Sequence, residues 1–193
     1  MEQVNANSVV TSGISTASDM GEMLQARGVY TAQCFDSNGN LKWEDTYTNL
    51  VTTVGKNDLL DKYLAGSAYT AAWYLGLVDG ASTPTYAAGD TLASHSGWTE
   101  IATGTGYTYS GSSTNRATAT FGAASAGTKA TGATAFAITA TLTIAGTLLC
   151  ATQARGTTTN GGAGILYSVG SFTGGNKSVA SGDTLNVTYT AQV

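Results

Sequence analysis

Val29-Tyr30-Thr31-Ala32-Gln33-Cys34-Phe35, then Asp36-Ser37-Asn38-Gly39-Asn40, then Leu41-Lys42-Trp43-Glu44-Asp45-Thr46-Tyr47: the reading of this stretch decides the fold. Two runs rich in β-branched and aromatic residues flank a polar cluster whose Asn38-Gly39 supplies the positive φ that a tight turn needs, the pattern of a β-hairpin. Side chains alternate along a strand, so Leu41, Trp43, Asp45 and Tyr47 are expected on one side, with Trp43 as the core anchor.

Downstream, one segment has helical character. Thr52 or Thr53 is placed to cap it, Leu59, Leu60, Tyr63 and Leu64 recur at helical spacing, and Gly66 ends it. A single helix among many strands is expected to be a lid on a sheet. Tyr69 to Val78 then has the continuous apolarity of a buried strand, with Trp73 as a second anchor. Residues 79–100, which hold the sole proline, Pro84, read as a long ordered loop anchored by His95 and Trp98. Beyond it, Ala117 to Phe121, Ala135 to Ile144, Thr147 to Ala151, Gly164 to Val169 and Thr184 to Thr190 are short apolar or alternating runs separated by Gly, Ser and Asn. That rhythm predicts a mainly β chain, a β-sandwich or jelly-roll-like domain with one short helix. Leu185, Val187 and Tyr189 should share the inner face of the last strand.

Upstream, residues 1–26 read as an extended N-terminal arm and 27–193 as the β domain. The arm scatters Val9, Val10, Ile14, Met20, Met23 and Leu24 among Ser, Asn, Thr and Ala. It has too little apolar surface to offset its own ordering entropy, so it is expected to be loose or laid along another subunit, with those six residues as the contacts. Met20 to Ala26 has the makeup of a short helix.

Composition supports this reading. Of 193 residues 42% are hydrophobic and only 10% charged, threonine supplies roughly one residue in six, and the net charge is −4. Threonine favours extended backbone, and a negative balance argues against a nucleic-acid partner, which needs surplus Lys and Arg to displace phosphate counterions. No apolar run has the length of a membrane-spanning helix, and the N-terminus lacks the pattern of a signal peptide, so a cytoplasmic origin without a membrane partner is expected. Cys34 and Cys150 read as buried small hydrophobes in a reducing compartment.

Candidate chemistry is sparse. His95, the one histidine, lies between Ser94 and Ser96, but a triad is a spatial arrangement, and a structural role within the loop is expected. Asp36, Glu44, Asp45, Asp90, Glu100 and Asp183 show no spacing that selects a catalytic pair. No metal-ligand pattern and no phosphate-binding glycine loop is present, so neither metal nor cofactor is expected. Asn186-Val187-Thr188 matches a glycosylation acceptor but falls inside an expected strand. Ala88-Gly89-Asp90-Thr91-Leu92 is echoed by Ser181-Gly182-Asp183-Thr184-Leu185, two places where Gly-Asp can turn the chain.

At Asn49-Leu50-Val51-Thr52-Thr53-Val54-Gly55-Lys56-Asn57, at Leu59-Leu60-Asp61, at Trp73-Tyr74-Leu75-Gly76-Leu77, in the Gly89–Glu100 loop and at Gly164-Ile165-Leu166-Tyr167-Ser168, the chain resembles a family of small tailed-bacteriophage virion proteins, the capsid decoration or cement proteins. The resemblance runs from about residue 28 to the C-terminus. It implies a compact, non-enzymatic β protein that forms a homo-oligomer, dimer or trimer. It also implies that the protein is made in the host cytoplasm and sits on the outer capsid surface, clamping the major capsid protein at capsomer junctions. The alternative is a tail or fibre component that stacks host glycans on the tyrosine-rich 103–109 loop. A hydrolase built on His95 and a carboxylate is the enzymatic rival.

Overall fold

The computed structural model describes residues 25–64, 66, 68, 72–156 and 164–193. The six arm residues named above, Val9, Val10, Ile14, Met20, Met23 and Leu24, lie outside the described residues. Gln25 and Ala26 are irregular rather than helical.

The chain is mainly β. In order, its elements are β1 (Arg27–Phe35), β2 (Leu41–Thr48), β3 (Leu50–Val51), α1 (Thr53–Leu64), β4 (Trp73–Asp79), β5 (Tyr107–Thr108), β6 (Ala117–Ala119), β7 (Thr128–Ala130), β8 (Thr134–Ile138), β9 (Leu142–Cys150), β10 (Leu166–Ser171), β11 (Lys177–Val179) and β12 (Thr184–Gln192). They form two antiparallel sheets. Sheet A runs β2-β1-β12-β8-β5 with β7 also on β12, and sheet B runs β3-β10-β9-β4-β6 with β11 also on β9.

The hairpin forms where the sequence places it. Gly39 sits at φ 83°, and Asp36 Oδ1 accepts the Asn38 and Asn40 amides, both at 2.8 Å. One expectation fails, because the register shifts between Cys34 and Phe35: Cys34 faces Trp43 while Phe35 faces Leu41, so Lys42 is an extra residue. A bulge of this kind reverses the alternation. Leu41 therefore leaves the Trp43 face and stands 53% exposed, while Trp43 meets Phe172 edge to face at 5.3 Å.

Two cores result. Between the sheets, Tyr30, Tyr47 and Tyr189 lie side by side on adjacent strands, with Tyr30 centred 5.5 Å from Tyr47 and 4.7 Å from Tyr189. Tyr30 shares a 2.7 Å hydrogen bond with Ser168 Oγ, and Tyr47 a 2.9 Å bond with Thr147 Oγ1. These bonds tie sheet A to sheet B through groups that would be costly to bury unpaired. Leu185, Val187 and Tyr189 all point inward, as their alternation predicts.

The second core lies on the other side of sheet B. There Val78, Leu92, Trp98, Ala145, Leu148, Cys150, Leu166 and Val169 pack beneath the 80–100 loop, with Val54 of the first helical turn. Sheet B is thus covered on both faces, which accounts for the unbroken apolarity of β4 and the continuous burial of β9 from Ile144 to Cys150. The expected Ala135–Ile144 strand is in fact divided. The Thr134–Ile138 stretch alternates buried and exposed in sheet A, the chain crosses at Thr139–Thr141, and β9 begins in sheet B.

The helix is only partly a lid. Thr52 caps it, its Oγ1 accepting the Gly55 amide at 3.1 Å. Gly55 is buried because any Cβ there would lie 2.5 Å from the Tyr167 carbonyl oxygen, so helix and strand meet backbone to backbone. Beyond this first turn the apolar stripe misses the sheet: Leu60, Tyr63 and Leu64 are 45%, 86% and 74% exposed. The later turns keep Leu59 and Lys62 toward Trp73 and Tyr167, while Leu60, Tyr63 and Leu64 face solvent.

Candidate functional site

Three side-chain clusters stand out, and their geometry separates support from binding. The first is a buried ion network at the junction of the 100–116 and 152–156 segments. Arg116 Nε and Nη2 donate to the two Glu100 oxygens at 2.8 and 2.7 Å, with both side chains almost wholly buried. Arg116 Nη1 also donates to the Thr152 and Ala154 carbonyls, and Glu100 accepts the Gly156 amide at 2.9 Å. Next to it, Arg155 donates to five carbonyls, those of Ile101, Ala102, Thr105, Tyr107 and Ser113, and lies 3.7 Å above the Tyr107 ring. These hydrogen bonds fix the 100–116 and 152–156 segments to each other, while Arg155 Nε and the Tyr107 hydroxyl are buried without a hydrogen-bond partner among the described residues.

The sequence reading missed Arg116 and Arg155. The available signal was an isolated arginine in a charge-poor setting, since 10% charge leaves few residues to spend on an interior. Tyr107 also bears on the glycan alternative. It is fully buried, pinned between Arg155 and an edge-to-face contact with Phe136 at 5.0 Å, and offers no face to a sugar.

The second cluster is the loop of His95. His95 Nδ1 donates to the Trp98 carbonyl at 3.1 Å and its ring stacks on Trp98 at 3.7 Å. Trp98 Nε1 in turn donates to Asp90 Oδ2 at 3.0 Å. Asp90 also takes the Ala87 amide at 3.0 Å, and Asp183 takes the Ala180 amide at 2.7 Å. The five-residue echo is therefore a repeated turn in which the aspartate caps the amide three residues before it. His95 and Trp98 are loop anchors, 5% and 2% exposed, and no nucleophile is hydrogen-bonded to the imidazole among the described residues.

Burial lowers the His95 imidazole from its usual 6.5, against the opposing pull of the Trp98 carbonyl, Asp90 and Glu100, while Arg116 adds to the lowering. The unfolded chain then binds more protons in the window just below pH 6.5. Stability fully present above 6.5 is lost as pH falls through that window. Urea unfolding at pH 7 and pH 5 should show the loss in the natural chain and a smaller one in His95→Phe, which keeps the stack on Trp98; equal losses in the two chains would contradict the assignment.

The remaining carboxylates are dispersed. Asp36 closes its own turn, Glu44 accepts from Gln33, Asp45 pairs with Lys177 at 3.4 Å, and Asp183 accepts from Lys42 at the bulge. Among the described residues no group of three or more His, Cys, Asp or Glu side chains is placed to hold a metal ion. Cys34 and Cys150 are buried free thiols, each pushed up to about 11 chiefly by burial. Asn186 lies half-buried on the outer face of β12, in the expected strand.

The third cluster is a cleft of about 180 Å³ at the end of the sandwich where β1 begins and β12 ends. Trp73, Phe121, Tyr167 and Tyr189 form its aromatic wall, with Leu59 of α1 above. Trp73 thus lines an opening rather than filling the core, meeting Tyr167 edge to face at 5.4 Å. Lys62 and Lys129 also line it, the first 3.2 Å from Asp58 and the second donating to the Gly122 carbonyl at 2.8 Å.

The broadest feature is the outer face of sheet A. Strand register lines up four cross-strand rows: Thr48-Val29-Thr190-Ala130, Thr46-Thr31-Thr188, Glu44-Gln33-Asn186-Ala135 and Leu41-Phe35-Thr184-Ala137. All these residues are half-buried or exposed. Thr31 and Thr46 share a 3.1 Å hydrogen bond, and Glu44 is the one charged residue in the four rows. No protein-family model, curated protein or solved structure matches the chain.

Proposed function

We propose that the protein is a non-enzymatic virion component that decorates a bacteriophage capsid, binding the major capsid protein at capsomer junctions as a homo-oligomeric cement protein. The observation that carries this reading is the outer face of sheet A, whose four rows hold one charged residue, Glu44, with Arg27 in the row beyond them. Such a face loses little on desolvation and suits a permanently assembled protein. The burial of His95 and the separation of the carboxylates agree with a scaffold whose polar groups serve the fold. The motifs quoted above, which resemble those of decoration proteins, direct the face toward a capsid shell.

The test is copy number in the purified particle, by quantitative mass spectrometry against the major capsid protein. Hundreds of copies support shell decoration, a few to a few dozen move the protein to the tail or a vertex, and absence from the particle defeats the virion reading. The face is tested by Thr46→Lys, at the exposed end of the second row. An exposed substitution of this kind changes stability by no more than about 0.5 kcal/mol, so the melting temperature should stay within about 2 °C. Particle retention should fall about tenfold or more, because an unpaired ammonium desolvated in an interface is costly. Unchanged retention would remove this face from the contact.

A further inference from the structure

We infer that the aromatic cleft is a binding site for a small apolar carboxylic acid, whose body enters among the aromatic side chains and whose carboxylate is met by Lys129. The inference rests on the shape and charge of the cleft and goes beyond the virion reading without depending on it.

The wall is one connected set of rings. Trp73 meets Tyr167 at 5.4 Å, Tyr167 meets Tyr189 at 6.3 Å, and Tyr189 meets Phe121 at 6.2 Å, each pair edge to face. Rings interlocked in this way hold one another in place, so the cleft is formed before a ligand enters it. It reaches down to Leu149, a core residue only 2% exposed. An apolar cavity of about 150 Å³ holds benzene, so a cleft of about 180 Å³ suits a single ring or an aliphatic chain of similar bulk.

The charges at the cleft select the head of such a molecule. Three charged side chains line it, Asp58, Lys62 and Lys129. Asp58 and Lys62 lie 3.2 Å apart on successive turns of α1 and offset each other. Lys129 pairs with no carboxylate among the described residues; its ammonium donates to the Gly122 carbonyl and has two further donors to offer. The cleft therefore carries a net positive charge beside an apolar wall, in a chain whose overall charge is −4. A carboxylate there gains a charge-assisted hydrogen bond, whereas an amine would meet like charge.

The test is a titration of the full chain with three probes that share one body and differ in the head: 3-phenylpropionate, 3-phenylpropanamide and 3-phenylpropylamine. The readout is the Trp73 indole N–H resonance, assigned through Trp73→Phe. The acid should move it, leave those of Trp43 and Trp98 in place, and bind about tenfold or more tightly than the amide or the amine. Lys129→Gln, which keeps a donor for the Gly122 carbonyl, should weaken the acid about tenfold and leave the amide unchanged. Asp58→Asn should act in the opposite sense, tightening the acid about threefold or more, because it removes a like charge and releases Lys62. An amide that binds as tightly as the acid, an acid indifferent to both substitutions, or a Trp73 resonance that no probe moves would each overturn the inference. A shift of that resonance with protein concentration alone would overturn it in favour of a second copy of the chain as the occupant. Copy number in the particle depends on none of these results, so the two proposals fail separately.

Discussion

Arg116→Ala should lower the melting temperature by about 6 to 20 °C, the consequence of a loss of about 3 to 5 kcal/mol on removing one partner of a buried ion pair in a domain of this size. The substitution strands Glu100, which is 2% exposed and loses both of its arginine hydrogen bonds. It also releases the Thr152 and Ala154 carbonyls. The expected damage exceeds the net worth of the pair, because an uncompensated carboxylate in the interior is the costly state. The double variant Glu100→Leu with Arg116→Met should therefore recover part of the loss, and only part, since the hydrogen bonds from Arg116 to the Thr152 and Ala154 carbonyls and from the Gly156 amide to Glu100 are not restored. Calorimetry of the three chains measures it. A melting temperature for Arg116→Ala within 2 °C of the natural chain would show that the network is dispensable.

Arg155→Lys, conservative in charge, should fail to preserve the structure of the 101–114 segment. One planar guanidinium serves five carbonyls and covers the Tyr107 ring, whereas an ammonium has three donors on a single nitrogen and cannot span the same acceptors. With charged hydrogen bonds worth about 1.5 to 3 kcal/mol each when lost, even two unserved carbonyls give a local destabilisation of about 3 kcal/mol. Amide hydrogen exchange in 101–114 should then accelerate by about 100-fold or more, and by more than exchange of the β1 and β12 amides. Exchange in 101–114 that matches the natural chain would refute the clamp. The effect should be local, because Arg155 acts on the loops rather than on the two sheets.

Much of the fold was legible in the residues because its signals are local. Asn38-Gly39 turns the hairpin, Thr52 caps the helix, alternation puts Leu185, Val187 and Tyr189 inward, and Asp90 and Asp183 close matching turns. Each depends on neighbours within a few residues. The misreadings share the opposite property. The bulge at Lys42 that turns Leu41 outward is a register event between two strands, and alternation within one strand carries no trace of it. The break at Thr139–Thr141 is hidden because apolar residues continue on both sides of it, although the first strand is buried on one face and the second on both.

The candidate sites divide along the same line. The loop setting of His95 suggests a hydrogen-bonding structural role, and only the structure gives its partner, the Trp98 carbonyl, and its stack on the Trp98 ring. Arg116 and Arg155 were silent, since nothing near either residue in sequence names Glu100 or the carbonyls of 101–113 as its partners. The exposed Leu60, Tyr63 and Leu64 stripe was read as a packed face because helical spacing reports that a face is apolar, not what it meets. The sequence by itself determined the class of fold, the turns and the inward residues of the outer strands, because backbone preference and side-chain alternation act over a few residues. Tertiary structure alone decided the strand registers, the second core on sheet B, the partners of the buried charges and the open aromatic cleft, because each depends on groups brought together from distant parts of the chain.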